Sequence, residues 1–499
     1  MMQSSTSSSS SPASTELALY LGGLSLFAGM FFFFTHGLLN LIFATMLAAV
    51  LLLLSLVDKG RAAVLAIAYL ILMGDIRRIL TPITGLQKLD LLLVVGPGVA
   101  CFMALPILLK VQLKDRLSKA MFALTVIMIL QIFNPKQGGV SVGLTGVIFN
   151  LAPILWFWVA RRYATNRIME TLIYKVLLPL AFAALLFGFY QTYIGFPPYQ
   201  QTWIDAVHKA GYTSLFITSK KARSFGFSVS AAEYATLLSI GGAAVVATWW
   251  GRHRVWALTF PLFFGGILLA SSRGVLVKLV VAVTLIFFLR KGSRFSANVL
   301  LRLSFASVAA LILLSVGASL LPESNAEVQS DQSQTEQALV HEASGIAHPL
   351  ERSTAGLHGG MFLTAVLSGF RSPLGAGLGS TTAAAGKYGV SGAAANSEVD
   401  ISDMFSALGA VGGLVYLYIV LAVMRSLFVY NGNVSRTIGL PVVAILTATL
   451  GTWLLGAQYS TATIVFFLIG GIVKSNLAAM EGATQVKTTK IRRRVLTAA

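Results

Sequence analysis

The sequence predicts an all-α protein, a polytopic transmembrane helix bundle of about fourteen spans with a large extracytoplasmic loop that contains short helices. Three observations predict it. Of the 499 residues, 56% are hydrophobic and 11% charged, where a soluble domain carries about 25% charged residues. Mean hydropathy is +0.79. The apolar residues come in blocks, and a helix needs about twenty residues to cross a bilayer. The blocks show no alternation of period two, which excludes a closed barrel, the other fold that satisfies its backbone polar groups in lipid.

Residues 1–16 are Ser-rich, with no basic residue ahead of the first apolar stretch, and read as a disordered tail. The first part of the bundle follows over 17–321, with apolar segments at 17–35, 37–57, 62–75, 91–109, 120–134, 144–160, 173–195, 234–250, 255–270, 274–289 and 301–321. The 62–75 segment is short and reads as a half-span together with the stretch after it. A loop at 196–233 interrupts this part. A larger loop, 322–403, precedes the last part of the bundle, 404–478, which has segments at 404–428, 437–455 and 460–478. Residues 479–499 form a basic tail.

Lys and Arg counts orient the bundle. Of 37 such residues, 24 fall on the side that carries Lys59, Lys110, Arg161, Arg254, Arg425 and the C-terminal tail, and 12 on the other. The first side is therefore expected to be cytoplasmic, with both termini inside and both long loops outside. The net charge of +19 is accounted for by topogenic loops, so no nucleic-acid partner is expected. The single cysteine, Cys101, and six histidines without HxxxH or HExxH spacing give no disulfide framework and no metal site.

Within the large loop, 324–350 reads as a poorly ordered linker. From about 355 apolar periodicity returns at Met361, Phe362, Val366, Leu367 and Phe370, which predicts an amphipathic helix against the membrane face or the bundle.

Three places put charge where desolvation penalises it. Ser271-Ser272-Arg273-Gly274 joins two apolar segments almost without a loop, and Lys278 follows inside the next span. An intramembrane cation is costly unless it is paired or faces water. With no acid near in the sequence, these two cations form an anion site, unless they snorkel to headgroups. Arg223-Ser224-Phe225-Gly226-Phe227 closes the first long loop, with Lys220 and Lys221 before it. Glu233 lies where a helix-start residue is expected. Asn396-Ser397-Glu398-Val399-Asp400-Ile401-Ser402-Asp403 ends the second loop and runs into the small residues Gly409, Gly412 and Gly413. Ser402 or Asp403 suits a helix cap, and Glu398, too early to cap, is the freer group for proton transfer.

These places carry a resemblance to the bacterial O-antigen ligases and the O-antigen and exopolysaccharide polymerases. Arg223-Ser224-Phe225-Gly226 resembles that family's arginine–glycine signature before a span. Ser271-Ser272-Arg273-Gly274 resembles its Ser-Arg-Gly turn, and Arg371-Ser372-Pro373-Leu374-Gly375-Ala376-Gly377-Leu378-Gly379 its Pro-Leu-x-Gly-x-Gly stretch. The closing segment is similar to a His-Asn followed by Gly-x-x-Gly. Here, counting back from Gly409 and Gly412, the histidine position is Glu398 and the asparagine Val399. The similarity in layout covers about 200–475.

The resemblance implies a membrane glycosyltransferase of the bacterial cytoplasmic membrane. It would polymerise or transfer glycan units from a polyprenyl diphosphate to an acceptor hydroxyl on the outer face. Arg223 and Arg273 would neutralise the leaving diphosphate, and Lys278, Lys221, Arg352, His358 and Arg371 would bind substrate. Glu398, or else His358, would serve as base. No cofactor is implied, and no Asp-x-Asp metal motif stands in an outer loop. Partners would be the lipid-linked donor, the acceptor glycan and membrane lipids, with chain-length regulators or export proteins as further candidates. The displaced absence of histidine points towards a polymerase, with a ligase to lipid or protein, or a lipid-linked glycan transporter, as alternatives.

Overall fold

The computed structural model describes residues 39–86, 90–209, 216–218, 221–249, 253–270, 272–289, 355–382, 385, 399–456 and 458–496. These are almost wholly helical. In chain order the helices are α1 (Leu39–Val57), α2 (Lys59–Thr84), α3 (Leu92–Leu108), α4 (Arg116–Gln131), α5 (Val140–Tyr163), α6 (Asn166–Tyr193), α7 (Pro198–Lys209), α8 (Ala231–Thr248), α9 (Arg254–Leu269), α10 (Arg273–Leu289), α11 (Ala355–Arg371), α12 (Asp400–Asn433), α13 (Arg436–Ala448) and α14 (Tyr459–Leu496). A small antiparallel hairpin, β1 (Phe216–Thr218) with β2 (Lys221–Ala222), is an addition to the all-α expectation.

Among the described residues, six helices, α1, α5, α6, α8, α12 and α14, are long and apolar enough to cross a membrane, and α3, α9, α10 and α13 are shorter apolar helices. The expected apolar segments that fall on described residues are mainly helical, although that at 437–455 is helical only to Ala448; those at 17–35 and 301–321, and the linker at 324–350, lie outside them. The segment at 62–75 does run on into the stretch after it. It belongs to α2, a 26-residue helix, or about 39 Å at 1.5 Å per residue. The hydropathy window ends early because Asp75, Arg77 and Arg78 lie in its last third.

Local chemistry sets the helix starts. Asp58 caps α2 by accepting from Arg61 N (2.9 Å), and Asp115 caps α4 by accepting from Ser118 N (2.7 Å). Ser230 caps α8 by accepting from Glu233 N at 3.1 Å. Helix α8 is buried along almost its whole length and packs on α13, α9, α10 and α6. Small residues allow the close approaches that stabilise membrane bundles: Gly470 of α14 faces the Phe157 carbonyl of α5, and Gly241 of α8 the Phe263 ring of α9.

At the basic end Arg161 pairs with Asp115 (3.6 Å), Lys474 donates to Arg162 O (2.9 Å), and Tyr174 donates to Thr437 O (2.6 Å). The opposite, loop-bearing end gathers the polar groups described below.

Helix α12 contains the apolar segment expected at 404–428 and is long and apolar enough to cross a membrane. It begins at Asp400 and breaks at Gly409, whose φ of 72° and ψ of −174° belong to a region open essentially to glycine alone. The two limbs fold together: a Cβ on Gly413 would meet the Phe405 ring at 2.4 Å. The small residues expected to pack helix against helix thus pack one limb of α12 on the other. Ser402 and Asp403 lie inside the first turn, where the Ser402 hydroxyl donates to Val399 O (2.9 Å), so neither is the cap residue expected.

Candidate functional site

Three polar assemblies occupy the loop-bearing end. The first is built on α2. Asp75 and Arg78, three residues apart, share a helix face. The Asp75 carboxylate accepts from Gln200 Nε2 (2.6 Å) and from the Tyr199 hydroxyl (3.1 Å), both on α7. Burial, and then the Asp75 charge beside it, hold the Tyr199 phenol above its ordinary range, which keeps it a donor. Gln191 of α6 donates to Gln200 Oε1 (2.9 Å) and accepts from Phe225 N (3.0 Å) and Gly226 N (2.9 Å). The Arg78 guanidinium donates to Ser228 O (2.6 Å) and Val229 O (3.2 Å), and lies over the rings of Phe225 (3.8 Å) and Trp203 (4.6 Å). Gly74 gives this chain room, since a Cβ there would lie 2.4 Å from the Ser228 backbone.

Glu233 closes the assembly from α8. Its carboxylate accepts from Val229 N (3.0 Å) and from Ser460 N (2.5 Å) and Oγ (2.8 Å) at the start of α14. It is the helix-start residue that its position suggested, and it ties the starts of two helices.

The second assembly joins α10 to α12. Lys278 Nζ donates to Thr452 Oγ1 (3.4 Å), and Asp400 is its electrostatic neighbour. The expectation that Lys278 lacks a nearby acid is therefore corrected: the acid comes from 122 positions further along the chain. Asp400 accepts from the Tyr416 hydroxyl (2.7 Å) and from Trp453 N (2.6 Å), while its Oδ1 is buried without a hydrogen-bond partner.

The third assembly is the glycine-rich stretch after α11. Ala376 N donates to Ser406 O (3.0 Å) and Gly377 N to Ala407 O (2.9 Å), carbonyls that the break at Gly409 releases from the helix. On its other side Leu378 N donates to Gln131 O (3.2 Å), Gly379 N to Gln137 Oε1 (3.0 Å) and Asn150 Nδ2 to Leu378 O (3.0 Å). Asn150 sits in a π-helical turn of α5, Val147–Leu151, a local bulge of the kind that redirects side chains. Gly375 and Gly377 have φ of 72° and 109°, so the left-handed backbone of this stretch requires glycine.

No protein-family model matches this chain, and no curated protein matches it. The site is therefore read from its own geometry.

The expected site residues fall into separate groups. Arg223 is half-buried on the strand-to-helix connection of the first assembly, and its Nε is buried without a partner among the described residues. Lys221 lies on β2. Lys278 belongs to the second assembly, and Arg273, five residues earlier, begins α10. His358 and Arg371 lie on α11, which packs on α12 through Phe370 and Phe405 (ring centres 5.6 Å apart). Arg371 is exposed. Glu398 and Arg352 lie outside the described residues. Chemically, the first assembly presents some arginine N–H donors with no acceptor among the described residues, and the second a lysine and a buried carboxylate that are electrostatic neighbours.

Sequence reasoning missed Asp75, Arg78, Gln191, Tyr199 and Gln200. The available signal was the i, i+3 spacing of Asp75 and Arg78 at the end of an apolar run.

Proposed function

We propose that this chain is a membrane glycosyltransferase acting on polyprenyl-diphosphate-linked glycans at the loop-bearing end of the bundle. The observation that supports it is the guanidinium of Arg223, half-buried with an unpartnered Nε, on the connection that also carries the arginine–glycine signature. Cleaving a sugar–diphosphate bond develops negative charge on the leaving phosphate. Arginine forms strong charge-assisted hydrogen bonds with phosphate oxygens, and donors fixed in place before reaction stabilise such charge most effectively. In this reading Arg223 and Arg273 meet the diphosphate, Lys278 adds positive charge, and Glu398 takes the proton of the acceptor hydroxyl. A single displacement inverts the anomeric centre. The fourteen-span topology, with both termini cytoplasmic in a bacterial inner membrane, belongs to the same reading.

A second reading is transport of the same lipid-linked glycans. It is favoured by the broken helix α12 and the buried Lys278–Asp400 pair, since discontinuous helices and intramembrane charges are common features of transporter sites. Incubating purified protein with lipid-linked repeat units separates the readings. A ladder of lengthening glycans supports polymerase, one new product supports ligase, and unchanged substrate sinks both enzymatic readings.

A further inference from the structure

Arg78 is 1% exposed. Of its guanidinium nitrogens, Nη2 reaches the Ser228 and Val229 carbonyls, while Nε and Nη1 are buried with no hydrogen-bond partner among the described residues. The Phe225 and Trp203 rings cover the faces of the group and satisfy none of its in-plane N–H bonds. Leaving such donors unmet in a buried site is costly. The nearby charges do not meet them. Asp75 attracts Arg78, yet its oxygens are engaged by Tyr199 and Gln200. Asp90 is taken by Arg77, and Glu233 by Val229 and Ser460.

Arg223, with its own unpartnered Nε, stands two residues before Phe225, the ring on which Arg78 stacks. One connection thus carries Arg223 and, at Phe225, Ser228 and Val229, holds the guanidinium of Arg78 from α2. Above them lies α7. Its inner face uses Ile204 and Val207, which form a small cluster with Ala222 and Phe225, apart from the main core. Besides this cluster it is pinned by Tyr199 and Gln200 to Asp75 and by Gln200 to Gln191. Helix α7 is thus held by this small cluster and a few polar contacts, besides its packing on α2.

We propose that Arg78 is the inner anchor of a phosphate-type oxyanion site that it shares with Arg223 and that α7 roofs. Its ligand class is a phosphate or diphosphate group, and its assignment to the donor diphosphate rests on the glycosyltransferase reading. Entry of the ligand requires α7 to move, because Arg78 is covered when α7 is seated.

The test uses the full chain in phosphatidylcholine nanodiscs, with inorganic pyrophosphate as probe. Hydrogen exchange of peptide 198–209 is followed beside the binding isotherm. Wild-type protein is expected to bind pyrophosphate and to change exchange in that peptide. Arg78→Gln and Arg223→Gln should each weaken binding by about tenfold or more, and Arg78→Lys by less, because it keeps the charge but loses the planar donor set. In phosphatidylglycerol discs, exchange already altered without pyrophosphate, together with weakened pyrophosphate binding, assigns the oxyanion to a lipid headgroup. Unchanged affinity in folded Arg78→Gln would overturn the proposal and leave Arg78 as an anchor for the 228–229 backbone. If that variant does not fold, the wild-type exchange decides, and no response of 198–209 in either lipid overturns the site. The glycan ladder fails or succeeds separately: a ladder with unchanged Arg78→Gln affinity sinks the site alone, and Arg78-dependent binding without a ladder sinks the enzyme alone.

Discussion

The Asp400 carboxylate accepts a hydrogen bond from the Tyr416 hydroxyl at 2.7 Å, although the two residues lie 16 apart on one helix. In a straight helix they would be about 24 Å apart along the axis. The break at Gly409 brings them together, and the glycine-rich stretch after α11 occupies the carbonyls that the break frees. Asp400 in turn receives Trp453 N and is an electrostatic neighbour of Lys278, so the position of this carboxylate depends on one glycine turn.

Gly409→Ala should therefore destabilise the protein. The conformation alone costs a non-glycine residue about 1–3 kcal/mol, and the new Cβ would lie 2.0 Å from Pro373 O. Thermal unfolding in detergent should show a lower midpoint. Gly265→Ala, on α9 with nothing within 4 Å of the added carbon, is the matched control and should be neutral or stabilising. Equal midpoints for the two variants would contradict the folded-back α12.

Gln137→Leu should loosen the glycine-rich stretch without unfolding the bundle. It removes the acceptor of Gly379 N, and a buried donor left unmet costs about 1–3 kcal/mol. Faster hydrogen exchange over 374–382, with α8 unchanged, is the expected result.

Arg223→Ala and Arg273→Ala should each abolish polymer formation in cells while the protein still inserts. Removing one donor to a developing oxyanion typically costs about 10²–10³ in rate. Gel profiles of surface glycan check this, and normal chain lengths with either variant would count against the proposed chemistry.

Glu398→Gln should remove activity at every pH if Glu398 is the base, because the amide cannot take a proton. Retained activity that disappears in His358→Gln would move the role to α11.

The sequence exposed the parts of this molecule that depend on neighbours along the chain. The apolar runs marked the helices, Glu233 marked the start of α8, and periodicity from 355 marked α11. What it could not expose depends on distant partners. Hydropathy ended α2 at residue 75 because charges normally leave the membrane, yet Asp75 and Arg78 are kept inside by groups about 120–150 positions away. Lys278 seemed to lack an acid for the same reason. The Gly409 break left only a small-residue pattern, which reads equally well as contact between separate helices.

Glu233 and Ser460 meet across 227 positions of sequence, and this fixes an order in time as well as in space. A chain emerging from the ribosome carries Glu233 long before Ser460 exists. Until the helix that begins at Tyr459 is made and seated, that buried carboxylate lacks two of its donors. The contact therefore reports whether α14 has joined α8, a step that comes well after Glu233 has been synthesised.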